Sequence, residues 1–316
     1  MEHHFQPTTW HNTFGAHEPV LRVADGDTIV TVTLDARGYD AEGARAGQGP
    51  NPLTGPFFVE GARPGDALAV TVEQVTPNRA TGWARAGLSP QVVDPGFIAE
   101  MAPAEMGEWC IDIARGLAQL TAPRTMLGRV ALPLAPMLGC LGVAPGDGQA
   151  ISTATSGRYG GNMDYCGVRT GATLYFPVSV EGALLFVGDG HAVQGDGEIT
   201  GNGIEVSMAV RLCVRVVPGA APGWPRGEDA DWLFALGNAR PLEQALQHAT
   251  TEMARWLRDG YGLDDASVGV LLGQAVAYEI GNVYDPAYTV ACKLAKKWCP
   301  APACAAAGPG GALPPQ

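Results

Sequence analysis

Apolar and polar positions alternate along much of the first two thirds of the chain. Thr28-Ile29-Val30-Thr31-Val32-Thr33-Leu34 mixes β-branched and apolar residues with the two-residue period of a strand. Ala67 to Val75 repeats that pattern. Each is entered through a Gly-Asp turn, Asp25-Gly26-Asp27 and Pro64-Gly65-Asp66, so the two units predict adjacent hairpins of a sandwich or barrel. Phe57 to Ala62 predicts a strand end that carries one carboxylate, Glu60. Short strands are predicted over Cys110 to Ile113, Arg129 to Pro133 and Thr173 to Val178. A long one is predicted over Ile204 to Val217, with Met208, Val210, Leu212 and Val214 on one face. The period changes only late. Leu242, Leu246, Ala249, Met253, Trp256 and Leu257 share a helical face that ends near Gly260, and Asp264 or Asp265 caps a second helix over Ala266 to Ala277. Tyr288 to Leu294 is the last predicted strand. Residues 79–110 show no period and read as irregular. The charge-free run Pro133 to Pro145, punctuated by Pro and Gly, reads as an apolar loop able to line a pocket. The pattern predicts a mostly β, β-rich α+β protein. It divides into β parts at about 11–150 and 151–217 and a C-terminal α+β part at about 233–298, all within one unit over 1–299. The Ala, Pro and Gly of 300–316 predict a disordered tail.

Composition narrows the function classes. A formal charge of -12 argues against a nucleic-acid partner, whose phosphates need a basic surface, and against anionic membranes. The N-terminal residues are polar rather than a secretory apolar segment, and no apolar run is long enough to span a bilayer. The seven Cys are scattered without CxxC spacing. These features together predict a cytoplasmic protein with reduced cysteines.

Chemistry concentrates in one stretch. Gly188-Asp189-Gly190-His191-Ala192-Val193-Gln194-Gly195-Asp196-Gly197-Glu198 runs on to Asn202 and Glu205 between two apolar segments. Asp, Glu and His in a Gly-rich turn suit a hard or borderline cation or acid–base catalysis; Gly, Asp and Asn are also ordinary hairpin residues.

A set of phrases recurs in order along the chain: His17-Glu18-Pro19-Val20, Asn51-Pro52-Leu53-Thr54-Gly55-Pro56, Val59-Glu60-Gly61-Ala62-Arg63-Pro64-Gly65-Asp66, Gly160-Gly161-Asn162-Met163-Asp164, Gly188 to Glu198 and Tyr284-Asp285-Pro286. The set resembles the acetamidase/formamidase family over residues ~11–298. The resemblance implies hydrolysis of a small linear amide to a carboxylate and ammonia. It also implies a jelly-roll-like sandwich with a smaller β-barrel, and homo-oligomers.

Amide hydrolysis needs an activated nucleophile, stabilisation of an oxyanion and a proton for the amine. Cys–Glu–Lys and Ser–Ser–Lys routes need a core lysine, and the only lysines are Lys293, Lys296 and Lys297. A metal-activated water needs only His and carboxylates. The ligand candidates are Asp164, Asp189, His191 and Glu198, with His17 and Asp35 in reserve. The cofactor expected is a divalent metal, zinc first, with calcium or manganese as alternatives. Glu60 is the candidate general base. Asn162 or the Gly160-Gly161 amides are candidate oxyanion donors. Asp196, Asn202 and Glu205 are read as residues that shape the loop, Asp196 and Glu205 alternatively as a second, calcium-like site. Two rival classes stay open: a cupin-like jelly-roll metalloenzyme and a non-catalytic metal- or ligand-binding β-sandwich.

Overall fold

The computed structural model describes residues 1–302. The expected disordered tail lies, from residue 303 onward, outside the described residues. No described helix is long and apolar enough to cross a membrane.

A nine-stranded sheet forms the backbone of the fold. Met208–Val217 pairs antiparallel with Ala67–Pro77 on one side and with Thr28–Val32 on the other. Beyond Ala67–Pro77 come Thr173–Pro177, Arg226–Glu228, Trp232–Ala239, Tyr288–Ala295 and Ala277–Asn282. The alternation read along Met208–Val217 is the observed one: Met208, Val210, Leu212 and Val214 are buried while Arg215 is exposed. A six-stranded sheet packs on this one and orders Ser156–Gly157, Gly160–Asn162, Met137–Val143, Leu185–His191, Thr54–Val59 and Leu21–Val23. The two sheets share one hydrophobic core that includes Phe14, Phe57, Phe176, Phe186, Leu141 and Leu212. Each such side chain stabilises the fold by about 1.5–3 kcal/mol through burial.

The mostly β class with late helices is observed. The smaller β-barrel is not formed, because no sheet among the described residues closes on itself. The 79–110 region is irregular only in its middle, where residues 87–104 hold two short 3-10 turns; its ends are strands. Thr81–Ala86 and Glu105–Asp112 pair antiparallel, and Leu117–Ala122 and Ala131–Pro133 extend them to a four-stranded sheet. The supposed loop within Pro133 to Pro145 is the strand Met137–Val143, buried at every residue. It shows no alternation because both of its faces lie in the protein, the circumstance in which a strand reads as a continuous apolar run.

The helix Leu242–Tyr261 buries Ala245, Ala249, Met253, Trp256 and Leu257 with Leu233, Ala235, Cys292 and Leu294 in a second core. Its close approach depends on Gly237, where a Cβ would meet the Ala245 carbonyl oxygen at 1.9 Å. It ends at Gly262, which takes the left-handed conformation with φ 68. Asp264 then caps Asp265–Ala275 by accepting from the Ser267 amide.

Candidate active site

Gly188 to His191 is not part of a loop. It is the last part of the strand Leu185–His191, which pairs with Met137–Val143. Asp189 and His191 stand two residues apart and so face the same side of the sheet. Glu205 returns beside them through an isolated antiparallel bridge to His191. Asp164 follows the strand Gly160–Asn162, with its amide held by the Gly139 carbonyl. Glu198 comes from the 3-10 turn Asp196–Glu198.

These groups converge while fully buried. His191 Nε2 lies 3.1 Å from Glu205 Oε1 and 3.5 Å from Asp189 Oδ1. Donor atoms of Asp164, His191 and Glu198 lie within 4.8 Å of one another, as do those of Asp189, His191 and Glu205. Asp285 completes the set: Asn162 Nδ2 donates to its Oδ2 at 2.5 Å. Asn162 Oδ1 accepts from Asn51 Nδ2 at 3.0 Å and from Cys140 Sγ at 2.8 Å. Above the cluster opens a cleft of about 360 Å³, with Asn51, Trp83, Asn162, Asp189, Glu205 and Asp285 in its lining.

Two observations mark the cluster as built for a task. Seven non-glycine residues among those described have positive φ, and four of them, Asn51, Asp164, Asp189 and Glu198, belong here. Left-handed conformations of non-glycine residues cost on the order of 1–3 kcal/mol each and gather where function requires them. Second, Gly139 makes room for the carboxylates. A Cβ there would lie 2.5 Å from both Asp164 Oδ1 and Asp189 Oδ2.

The electrostatics are one-sided. Five carboxyls surround one imidazole, and among the described residues no Lys or Arg forms an ion pair with any of the five. Burial, with repulsion from Glu198, pushes Asp164 well above the usual carboxylate range, and burial with repulsion from Asp285 does the same to Glu198. Burial raises Glu205 to about 8 against the pull of His191, and raises Asp285 to about 6. Burial disfavours the charged form of His191, yet attraction to Glu205 and Asp189 more than reverses this and sets it well above its ordinary value. Asp164 Oδ1, Asp189 Oδ1, Glu205 Oε2 and His191 Nε2 have no hydrogen-bond partner. Unpartnered buried polar atoms are expensive. Oxygen donors with one imidazole, converging and unpartnered, fit a divalent cation of the zinc, manganese or calcium class.

A pH effect follows. A carboxyl with a raised folded-state pKa contributes its full stability below its unfolded value and loses it as pH rises through the folded one. For Asp285 and Glu205 the window runs from 3.8 to about 6 and from 4.5 to about 8. The raised His191 acts in the same direction. Chelator-stripped protein is therefore expected to melt lower at about pH 8.5 than at about pH 7, and an added divalent cation to narrow the gap. Differential scanning fluorimetry checks this, and a stripped-protein melting temperature that climbs with pH over that interval contradicts it.

Of the residues singled out in the sequence, the structure brings together Asp164, Asp189, His191, Glu198 and Asn162. It does not bring Glu60 to them. Glu60 is exposed and follows a strand whose Phe57 registers with Leu185, at the far end of the strand from His191. Six residues at ~3.3 Å each place that end roughly 20 Å away. His17 also lies elsewhere, stacked on His11 at 4.1 Å and bonded to Thr13. Asp35 is committed to Arg79 at 2.7 Å and to Trp83 Nε1 at 3.1 Å. Gly160 and Gly161 are flanked by paired strands, so their amides serve the sheet rather than an oxyanion. Asp196 is exposed, and Glu205 is a member of the His191 cluster rather than of a second site. Met137–Val143 runs beneath the cleft and does not line it. Sequence reasoning missed Glu205, Asp285 and Asn51 as site residues. The signal for the last two was present, since both lie in the recurring phrases Tyr284-Asp285-Pro286 and Asn51-Pro52.

The sequence pattern of the Acetamidase/Formamidase family matches residues 6–150 and 147–226, well over half of the chain. The chain belongs to this family. It is 31% identical over 240 residues to an acetamidase of Mycolicibacterium smegmatis, covering 60% of this chain and 59% of that relative. It thus spans less than two thirds of that relative's length. The fold superposes with a TM-score of 0.81 on a predicted acetamidase/formamidase of the thermophile Thermoanaerobacter tengcongensis, at 30% identity and covering 94% of this chain and 96% of that one. An acetamidase of Yersinia enterocolitica gives 0.79 at 29% identity, covering 94% and 92%.

Proposed function

We propose that this acetamidase/formamidase family member hydrolyses small linear amides of the formamide and acetamide class to a carboxylate and ammonia. The observation that carries the reading is the buried, unpartnered carboxyl cluster around His191 beneath an open cleft. Asp164, Asp189, His191, Glu198 and Glu205 are the residues that would hold a divalent cation. A cation bound there supplies Lewis acidity toward the amide carbonyl and makes water nucleophilic at neutral pH.

The chain's own groups do the rest. Asp285 lines the cleft with its carboxyl poised at about 6, where a general base works well near neutral pH. It takes the proton of the attacking water and returns it to the departing nitrogen. Asn162 orients that carboxyl through Nδ2 and is itself oriented by Asn51 and Cys140. The thiol route is disfavoured. Burial and the nearby Asp189 and Asp164 hold Cys140 protonated, and burial raises Cys166 to about 11. Assembly into homo-oligomers in the cytoplasm is part of the same proposal and is read by light scattering and cell fractionation.

Ammonia release from formamide, acetamide and propionamide, with and without prior chelation, tests the reading. Release that chelation abolishes and zinc or manganese restores is the expected result. Silence toward every small amide would sink it, and release indifferent to thorough chelation would remove the cation from it. Asp285→Asn is expected to lower kcat about 10²–10⁴-fold, while Glu60→Gln stays within about threefold of the parent. Steady-state kinetics on the two variants decide between these carboxyls.

A further inference from the structure

The strand Leu185–His191 is followed by Gln194, whose side-chain amide reaches back to His191. Its Nε2 faces two backbone carbonyls, Asp164 O at 2.6 Å and Gly281 O at 3.2 Å. A carbonyl oxygen only accepts, so the amide end turned toward both must be the NH₂. The reversed amide would crowd three acceptors together without a proton. Oε1 is thereby committed to the opposite side, where it stands 2.8 Å from His191 Nδ1. Oε1 also only accepts, so Nδ1 must carry the hydrogen.

We propose that Gln194 is a positioning residue: it holds a proton on His191 Nδ1 and so presents Nε2 as the ring atom that meets the Asp189 and Glu205 carboxylates and the cation they converge on. The cation part rests on the function proposed above. The consequence is the same in both charge states of the ring. In the neutral imidazole Nε2 is left with the lone pair a metal needs. In the imidazolium both ring nitrogens carry a hydrogen, Nε2 standing 3.1 Å from Glu205 Oε1, and Nδ1–H is unchanged. Gly203 confines the ring from another side, since a Cβ there would lie 2.6 Å from His191 Cγ and 2.7 Å from Nδ1. Gln194 also ties His191 to the loop that carries Asp164 and to the strand Ala277–Asn282, whose Asn282 Nδ2 donates to Asp164 Oδ2 at 3.4 Å.

Nitrogen NMR of the full chain labelled at histidine reads the tautomer, with His191 assigned from the spectrum of His191→Gln. Zinc titration of stripped protein reads the affinity. The parent is expected to show a protonated Nδ1 with and without zinc. Gln194→Leu removes the acceptor and is expected to populate both tautomers and weaken zinc about 10–100-fold. Gln194→Glu keeps an acceptor opposite Nδ1 and gives up the donors, so it should bind zinc within about threefold of the parent while melting at a lower temperature. An unprotonated Nδ1 in the parent overturns the proposal. So does a folded Gln194→Leu that keeps parental zinc affinity. A parent that binds no zinc defeats the cation reading of the site separately, and the NMR result then decides the Nδ1 assignment alone.

Discussion

Gly139→Ala is expected to leave a folded protein with no more than about a hundredth of the parental amide-hydrolysing activity and with much weaker divalent-cation binding. No functional group is removed. The added methyl would sit 2.5 Å from Asp164 Oδ1, 2.5 Å from Asp189 Oδ2 and 3.0 Å from the Asp189 carbonyl oxygen. Neither carboxylate is a flexible tip with open space to retreat into, because both residues are buried and both hold a left-handed backbone conformation. The two carboxylates must separate, and the convergence that defines the site is lost. Overpacking of a tight interior costs typically 1–3 kcal/mol, which a protein of this size survives. Ammonia release and zinc titration measure the effect, and circular dichroism shows whether the fold is kept. A folded Gly139→Ala with normal turnover would mean that Asp164 and Asp189 do not act together.

His191→Gln has the other large expected effect. Among the described residues His191 is the one basic side chain paired with any of the five carboxyls, standing against Asp189 and Glu205, and its Nε2 has no hydrogen-bond partner. Gln fills similar space without the imidazole donor. The expected result is a fall in kcat/KM of about 10³-fold or more, equivalent to about 4 kcal/mol of lost transition-state stabilisation. Zinc stoichiometry should fall well below the parental value. Stability should fall too, since the carboxyls lose the group that offsets their charge. The two variants separate geometry from chemistry: one moves the oxygen ligands and keeps the imidazole, the other keeps the oxygens and removes the imidazole. Near-parental turnover of a folded His191→Gln would displace the reaction from this cluster.

How much was legible depended on how local the signal was. The strands Thr28–Val32 and Met208–Val217 could be read because one face of each meets the core and the other does not, so burial is written as alternation. The helix Leu242–Tyr261 and the Asp264 cap could be read for the same reason, their determinants lying within a few residues. Met137–Val143 was opaque because both faces are buried, and Gly188 to His191 because its glycines serve close packing rather than a turn: a Cβ at Gly190 would meet Met208 Cγ at 2.2 Å.

The sequence by itself determined a mostly β chain of the acetamidase/formamidase kind, with an inventory rich in carboxylates and poor in lysine around a single His-bearing phrase. It also named Asp164, Asp189, His191 and Glu198 as one group, since three of the four lie within ten residues. Only the tertiary structure decided that Glu205, Asp285 and Asn51 join them and that Glu60 does not. Asn51 reaches Asn162 across 111 residues, and Asn162 reaches Asp285 across 123. Such contacts are set by which strands neighbour one another and in what register. That is fixed by the packing of two sheets over a shared core, and no local period along the chain encodes it.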